Sequence, residues 1–95
     1  MHMEWDEEKD RINRAKHGIS LARAAGLDWP RGETFSDRRA DYGEDREVLY
    51  AYLGLRLFVC VFTRRGNLRR IISLRKANKR EIRDYGKDSA HPSDQ

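Results

Sequence analysis

The sequence predicts an α+β fold: two N-terminal helices packed on a three- to four-stranded antiparallel sheet, closed by a short C-terminal helix. Three features carry this expectation. The opening third holds two helix-start signals, Asp6 and Ser20, with a helix stop at Gly18 between them. From Glu47 to Leu74 the composition turns to β-branched, aromatic and aliphatic residues in three runs, separated by Gly54 and by Arg65-Gly66-Asn67, which is the spacing of a meander. Asn78 followed three residues later by Glu81 then has the form of a capping box that opens a last helix. A chain of 95 residues supports one domain with one modest core. The domain is assigned to residues 1–85, and the polar stretch 86–95 is expected to be a mobile tail.

Taken in order, Asp6 caps a helix whose first turn carries Glu7 and Glu8, so negative charge meets the positive end of the dipole. That helix should run to about Lys16 and stop at Gly18, which tolerates the left-handed conformation of a C-cap. Ser20 caps a second, short helix over 21–26, and Asp28-Trp29-Pro30 ends it. Their apolar face is thin, which predicts helices leaning on a sheet rather than a bundle. Glu33-Thr34-Phe35 is a short extended piece and a possible fourth strand, followed by a polar loop from Asp37 to Asp45. Glu47–Leu53, Arg56–Thr63 and Leu68–Leu74 form the meander, and the second run, apolar on both faces, should be central. The expected core is Ile12, Leu49, Leu57, Val59, Val61, Ile72 and Leu74.

Charge is distributed unevenly. Residues 1–47 carry 9 basic and 12 acidic side chains, residues 48–95 carry 11 and 4, and the whole chain has a net charge of +4. Residues 63–83 concentrate 9 Lys and Arg against the single acid Glu81. Guanidinium groups fixed on a strand and a helix suit a polyphosphate, because Arg offers paired donors and stays charged. RNA is therefore the expected partner; the competing reading is a solvated basic face. The lone Cys60 lies in an apolar run and forms no intrachain disulfide. No signal-peptide pattern opens the chain, and its longest apolar run is far short of a bilayer span. These features together predict a cytoplasmic location and no membrane partner.

Five short motifs, in order along the chain, carry a resemblance. They are Trp5-Asp6-x-x-Lys9; Asn13-x-x-Lys16-His17-Gly18-Ile19-Ser20; Asp37-x-Arg39-x-Asp41-Tyr42-Gly43-Glu44-x-Arg46; Thr63-x-Arg65-Gly66; and Arg70-Ile71-Ile72-Ser73-x-Arg75-x-Ala77-x-x-x-Glu81. Together they resemble the BrnT family of small bacterial toxins, over roughly residues 4–85. The resemblance implies a RelE-like fold and an endoribonuclease that slows growth until a BrnA-like antitoxin binds it. It further implies a hetero-oligomer built on an antitoxin dimer, with DNA contacted only through the antitoxin. Leu21, where the family pattern has Phe, and Gly26-Leu27-Asp28-Trp29 depart from it in the second helix, which bears on local packing more than on the chemistry.

The residues alone point to the same class. Acids are scattered over helix ends and loops, His17 is the one internal histidine, and no ligand spacing for a metal is visible, so no cofactor is expected. Metal-independent RNA cleavage needs a base for the 2′-OH, cations for charge developing on phosphorus, and an acid for the leaving oxygen. The candidate catalytic residues are His17, Arg70 and Arg75. Candidate RNA-binding residues are Lys16, Arg64, Arg65, Arg69, Lys76, Lys79, Arg80 and Arg83. Each has a plainer alternative. His17 before Gly18 can bond the last helix carbonyls; Glu44 can pair with Arg39 or Arg46 to hold a loop; Glu81 is better suited to capping than to catalysis; Tyr85 can stack on a base or close the core. By strand alternation Arg70 and Arg75 face opposite ways unless a bulge intervenes. The rival class is a non-catalytic nucleic-acid-binding or regulatory module, against which stand the absent helix-turn-helix and zinc-finger patterns and the lack of aromatics interleaved with the basic strand.

Overall fold

The computed structural model describes residues 2–38 and 43–86. Along the chain come β1 (His2–Glu4), α1 (Glu7–His17), two 3-10 segments (Leu21–Gly26 and Trp29–Arg31), β2 (Glu33–Ser36), β3 (Glu47–Leu53), β4 (Arg56–Arg65), β5 (Leu68–Lys76) and α2 (Lys79–Tyr85). The strands form one sheet in the order β1-β5-β4-β3-β2. β1 lies parallel to β5 and the other neighbours are antiparallel.

The expected meander is present, with β4 in the middle of the sheet, and Leu57–Thr63 is buried without interruption. Gly66, at φ 60°, takes the first central position of the two-residue turn between β4 and β5, a conformation that a side chain would strain. Leu49, Ala51, Phe58, Cys60, Phe62, Ile71 and Leu74 point to one face of the sheet, where Leu21, Ala24 and Leu27 of the first 3-10 region cover them. On the other face Leu57, Val59 and Ala77 pack with Val48, Tyr50, Tyr52 and Tyr85, and α2 covers them only in part. Burial pushes the Cys60 thiol up to about 12, so it behaves as a core side chain and not as a nucleophile.

Two corrections concern the fold class. The sheet is five-stranded and mixed, not a three- to four-stranded antiparallel one, because His2–Glu4 adds to the free edge of β5 in parallel. Three residues without a β-branched side chain leave no alternation to detect. The N-terminal region also holds one α-helix, not two. Residues 21–26 form a 3-10 turn, since six residues ending at Gly26 give too little length for α-helical propagation even though Ser20 accepts from Ala22 N as expected.

Two expected core residues are also displaced. Ile12 is half exposed, because α1 is held by polar anchors instead of an apolar stripe. Asp10 accepts from Ser20 Oγ and from Leu21 N, at 2.9 and 2.7 Å, and lies buried. Asn13 donates to Leu74 O (2.8 Å) and Ile19 O (2.9 Å) and accepts from Leu74 N (3.2 Å). Its amide thus serves as a strand partner where β1 has stopped covering β5. Ile72 is half-buried because it is the extra residue of a bulge: Val61 pairs Ser73 while Phe62 pairs Ile71, and Ile71 takes the core position.

Candidate active site and nucleic-acid interface

The partly covered face carries a groove of about 450 Å³ between the sheet, the end of β2 and α2. Its sheet side is formed by Val48, Val59, Val61 and Ser73, whose alternation with the core residues turns them to this face. Aromatic rings gather at one side. Tyr50 and Tyr85 stack with centroids 4.0 Å apart at 16°, and Phe35 leans on both, at 6.0 and 5.5 Å. Arg38, Arg75 and Arg80 line the same groove. Sequence reasoning did not single out Phe35, Tyr50 or Arg38. They come from two separate parts of the chain, the end of β2 and β3, and the signal for their meeting is strand register, Phe35 opposite Val48 and Tyr50 opposite Val59.

Arg75 is held by Glu81 through two bonds of 2.9 Å each, and its Nη1 also donates to Lys76 O. Glu81 is buried and closes the capping box in both directions, accepting from Asn78 N while Asn78 Oδ1 accepts from Glu81 N. The Arg75 hydrogen bonds hold the Glu81 carboxyl below the usual carboxylate range, with the Asn78 bond adding to the effect. Glu81 therefore caps α2, as expected, and fixes Arg75 against that helix.

The bulge at Ile72 bears directly on the strand cations. Thr63 pairs with Arg70 and Val59 with Arg75, so both arginines occupy the groove face instead of opposite faces. Arg70 is nevertheless paired with Glu4 of β1, which places its guanidinium at the far edge of the sheet. His17, half-buried at the end of α1, has its pKa lowered by burial first and then by the nearby charges of Lys16 and Arg75. Its ring makes no hydrogen bond with the described residues, and the helix end is instead closed by Gly18 N–H on Arg14 O at 2.9 Å. Lys16 lies beside it, exposed.

The other basic residues divide between the faces. Arg64 and Arg69, a cross-strand pair, lie on the core face, with Arg64 bonded to Glu47 at 2.7 Å and Arg69 over Trp29. Arg65 meets Glu44 at 3.4 Å, and Glu44 also meets Arg46 at 3.4 Å, so that acid ties its loop to the hairpin. Arg39, its other expected partner, lies outside the described residues, as does the expected tail beyond Gly86. Gly86 itself is buried against α2, donating to Ile82 O at 2.8 Å. Lys76, Lys79 and Arg83 are exposed at the end of β5 and on α2. Among the described residues no three His, Cys, Asp or Glu side chains gather at metal-ligand spacing, and no helix is long and apolar enough to cross a membrane.

The fold and site are those of a small α+β domain whose mixed sheet carries a basic, aromatic-lined groove. Residues 5–81 match the family described as ribonuclease toxin, BrnT, of type II toxin-antitoxin system, and the chain belongs to that family. Membership brings an antitoxin partner and an RNA substrate with it. A search of curated proteins gave no match.

Proposed function

We propose that this chain is a metal-independent endoribonuclease that seats a base of its RNA substrate against Tyr50 and Tyr85 and promotes attack of the adjacent 2′-oxygen on phosphorus. The observation that carries this reading is the stacked tyrosine pair lying in one groove with Arg38, Arg75 and Arg80. Aromatic faces bind unpaired bases irrespective of sequence, and the neighbouring guanidiniums supply positive potential where charge develops on the phosphate. Glu81 fixes Arg75, so the cation is preorganised. His17, its pKa lowered by burial and by the charges of Lys16 and Arg75, is suited to accept the 2′-OH proton, and Arg70 adds potential along the same face. Arg65, Lys76, Lys79, Arg80 and Arg83 border this path, with Lys16 beside His17, and would follow the RNA backbone. The antitoxin, BrnA-like and acidic, covers the groove in a hetero-oligomer built on its own dimer, and the toxin meets DNA only through it. The site of action is the cytoplasm.

This route forms a 2′,3′-cyclic phosphate and a 5′-hydroxyl with no bound ion. Cleavage should survive EDTA and stop on RNA carrying a 2′-O-methyl group at the cut site. If His17 is the base, kcat/KM should fall as pH drops through a value below 6.5, and His17→Ala should remove that limb. Loss of cutting in EDTA with recovery in magnesium, or undiminished cutting of the methylated substrate, overturns the mechanism. Tight RNA binding with no cutting of any substrate would instead favour the non-catalytic module.

A further inference from the structure

On the opposite face of the sheet, at the tip of the β4–β5 hairpin, lies a second cavity of about 360 Å³, lined by His2, Arg64, Gly66, Asn67 and Arg69. No acid lines it. Antiparallel register sets Arg64 directly across from Arg69, so two guanidiniums are held side by side, and the pKa of Arg69 is lowered by burial and by the charge of Arg64. Glu47 offsets only part of this, since it bonds the Nε of Arg64. Arg69 is also held in place: its guanidinium carbon is 4.9 Å from the Trp29 ring centre and 6.0 Å from that of Phe62, and its buried Nε has no hydrogen-bond partner among the described residues. Two like charges held beside each other, Arg64 over Phe62 at 5.4 Å and Arg69 over Trp29, create a standing demand for an anion. Donors converging from two guanidiniums and the Asn67 amide suit a tetrahedral oxyanion.

We infer that this cavity is a phosphate-binding subsite, distinct from the tyrosine groove because it lies on the other face of the hairpin. Its ligand is a phosphate group, either of an RNA strand passing round the hairpin tip or of a free phosphate or nucleotide. Only the first source rests on the proposed ribonuclease function. Trp29 reports on the site because Arg69 lies over its ring, and Trp5→Phe leaves Trp29 as the only tryptophan. In that background, inorganic phosphate should change the Trp29 emission saturably, and sodium chloride at matched ionic strength should not. Asn67→Asp places a carboxylate in the cavity from an exposed turn position without disturbing packing, and Arg69→Gln removes a cation; each should weaken phosphate binding roughly tenfold or more. No saturable, phosphate-specific change in the parent protein would overturn the inference. So would an unaffected titration in Asn67→Asp with its melting temperature retained, or a Trp29 response to the antitoxin alone. The source follows from RNA affinity. If Asn67→Asp weakens an oligonucleotide of roughly twelve residues but not a dinucleotide, the phosphate is in the backbone. Equal affinities for both, with phosphate still bound, assign the subsite to free phosphate or nucleotide. The phosphate titration stands even if the chain cuts no RNA.

Discussion

Replacing Arg75 tests whether one guanidinium serves both the fold and the chemistry. Arg75→Ala removes two bonds of 2.9 Å to a carboxylate whose side chain is only 10% exposed, while the guanidinium itself is 36% exposed. Breaking a fully buried ion pair costs about 3–5 kcal/mol and an exposed one under about 1 kcal/mol. Glu81 keeps its bond from Asn78 N, and water reaches the Arg75 side, so a value near 2 kcal/mol is expected. For a domain of this size that lowers the melting temperature by roughly 10 °C. Well below that temperature the variant remains mostly folded, so a fall in cleavage of about a hundredfold or more would come from the lost cation at the phosphate. Arg75→Lys keeps the charge but cannot form the fork, and should lose about half the stability increment. The assays are thermal unfolding and single-turnover cleavage of a short fluorescent RNA. Cleavage within about threefold of the parent by folded Arg75→Ala would refute the electrostatic role. An unchanged melting temperature would refute the bracing role.

Three further outcomes follow from the same contacts. Asn13→Leu strands the Leu74 N–H and C=O at the uncovered edge of β5 and should cost about 3 kcal/mol by chemical denaturation, with Asn13→Asp no better because a carboxylate then faces two carbonyls. Tyr50→Ala or Tyr85→Ala should weaken RNA binding by about 1–3 kcal/mol by fluorescence anisotropy, whereas the Phe variants, which keep the stacking face, should bind nearly as the parent does. Glu81 has its carboxyl pKa lowered in the folded state, so its stabilisation is complete above the ordinary value of 4.5 and is lost as pH falls through the depressed one. The stability gap between the parent and Glu81→Gln should therefore narrow in acid, and a gap constant down to low pH would contradict the assignment.

The elements with a local chemical signature were the legible ones. Asp6, Gly18, Ser20, Gly66 and the Asn78–Glu81 pair each act where the sequence places them, because a cap or a turn needs only its own few residues. What the sequence hid depends on partners far along the chain. His2–Glu4 is a strand only because β5 has a free edge there, and nothing in three residues announces that. α1 carries no apolar stripe because Asp10 and Asn13 do the anchoring, so its buried face is polar. The basic residues were visible as a cluster, but their division between two faces follows from pairing register. The aromatic group was invisible for the same reason, since Phe35, Tyr50 and Tyr85 meet only after β2 pairs with β3 and α2 folds back over the sheet.

The bulge in β5 shows how one residue can decide what the groove contains. Arg70 and Arg75 are separated by an odd number of positions, which in a regular strand puts them on opposite faces. Ile72 is inserted between them without a partner on β4, and the count along the ladder becomes even. Three consequences arise together. Ile71 turns into the core beside Phe62, Arg70 joins Arg75 on the groove face, and Arg69 swings to the far face against Trp29. A regular strand that kept Arg75 in the groove would have sent Arg70 toward Trp29 and Arg69 toward Glu4, and Ile72 instead of Ile71 would have filled the core. The bulge therefore sorts adjacent arginines into two environments: one held by the carboxylate of Glu4, the other held on an aromatic ring with its Nε unpaired among the described residues. The basic character of this strand is set by composition, but the faces on which its charges act are set by that one unpaired position.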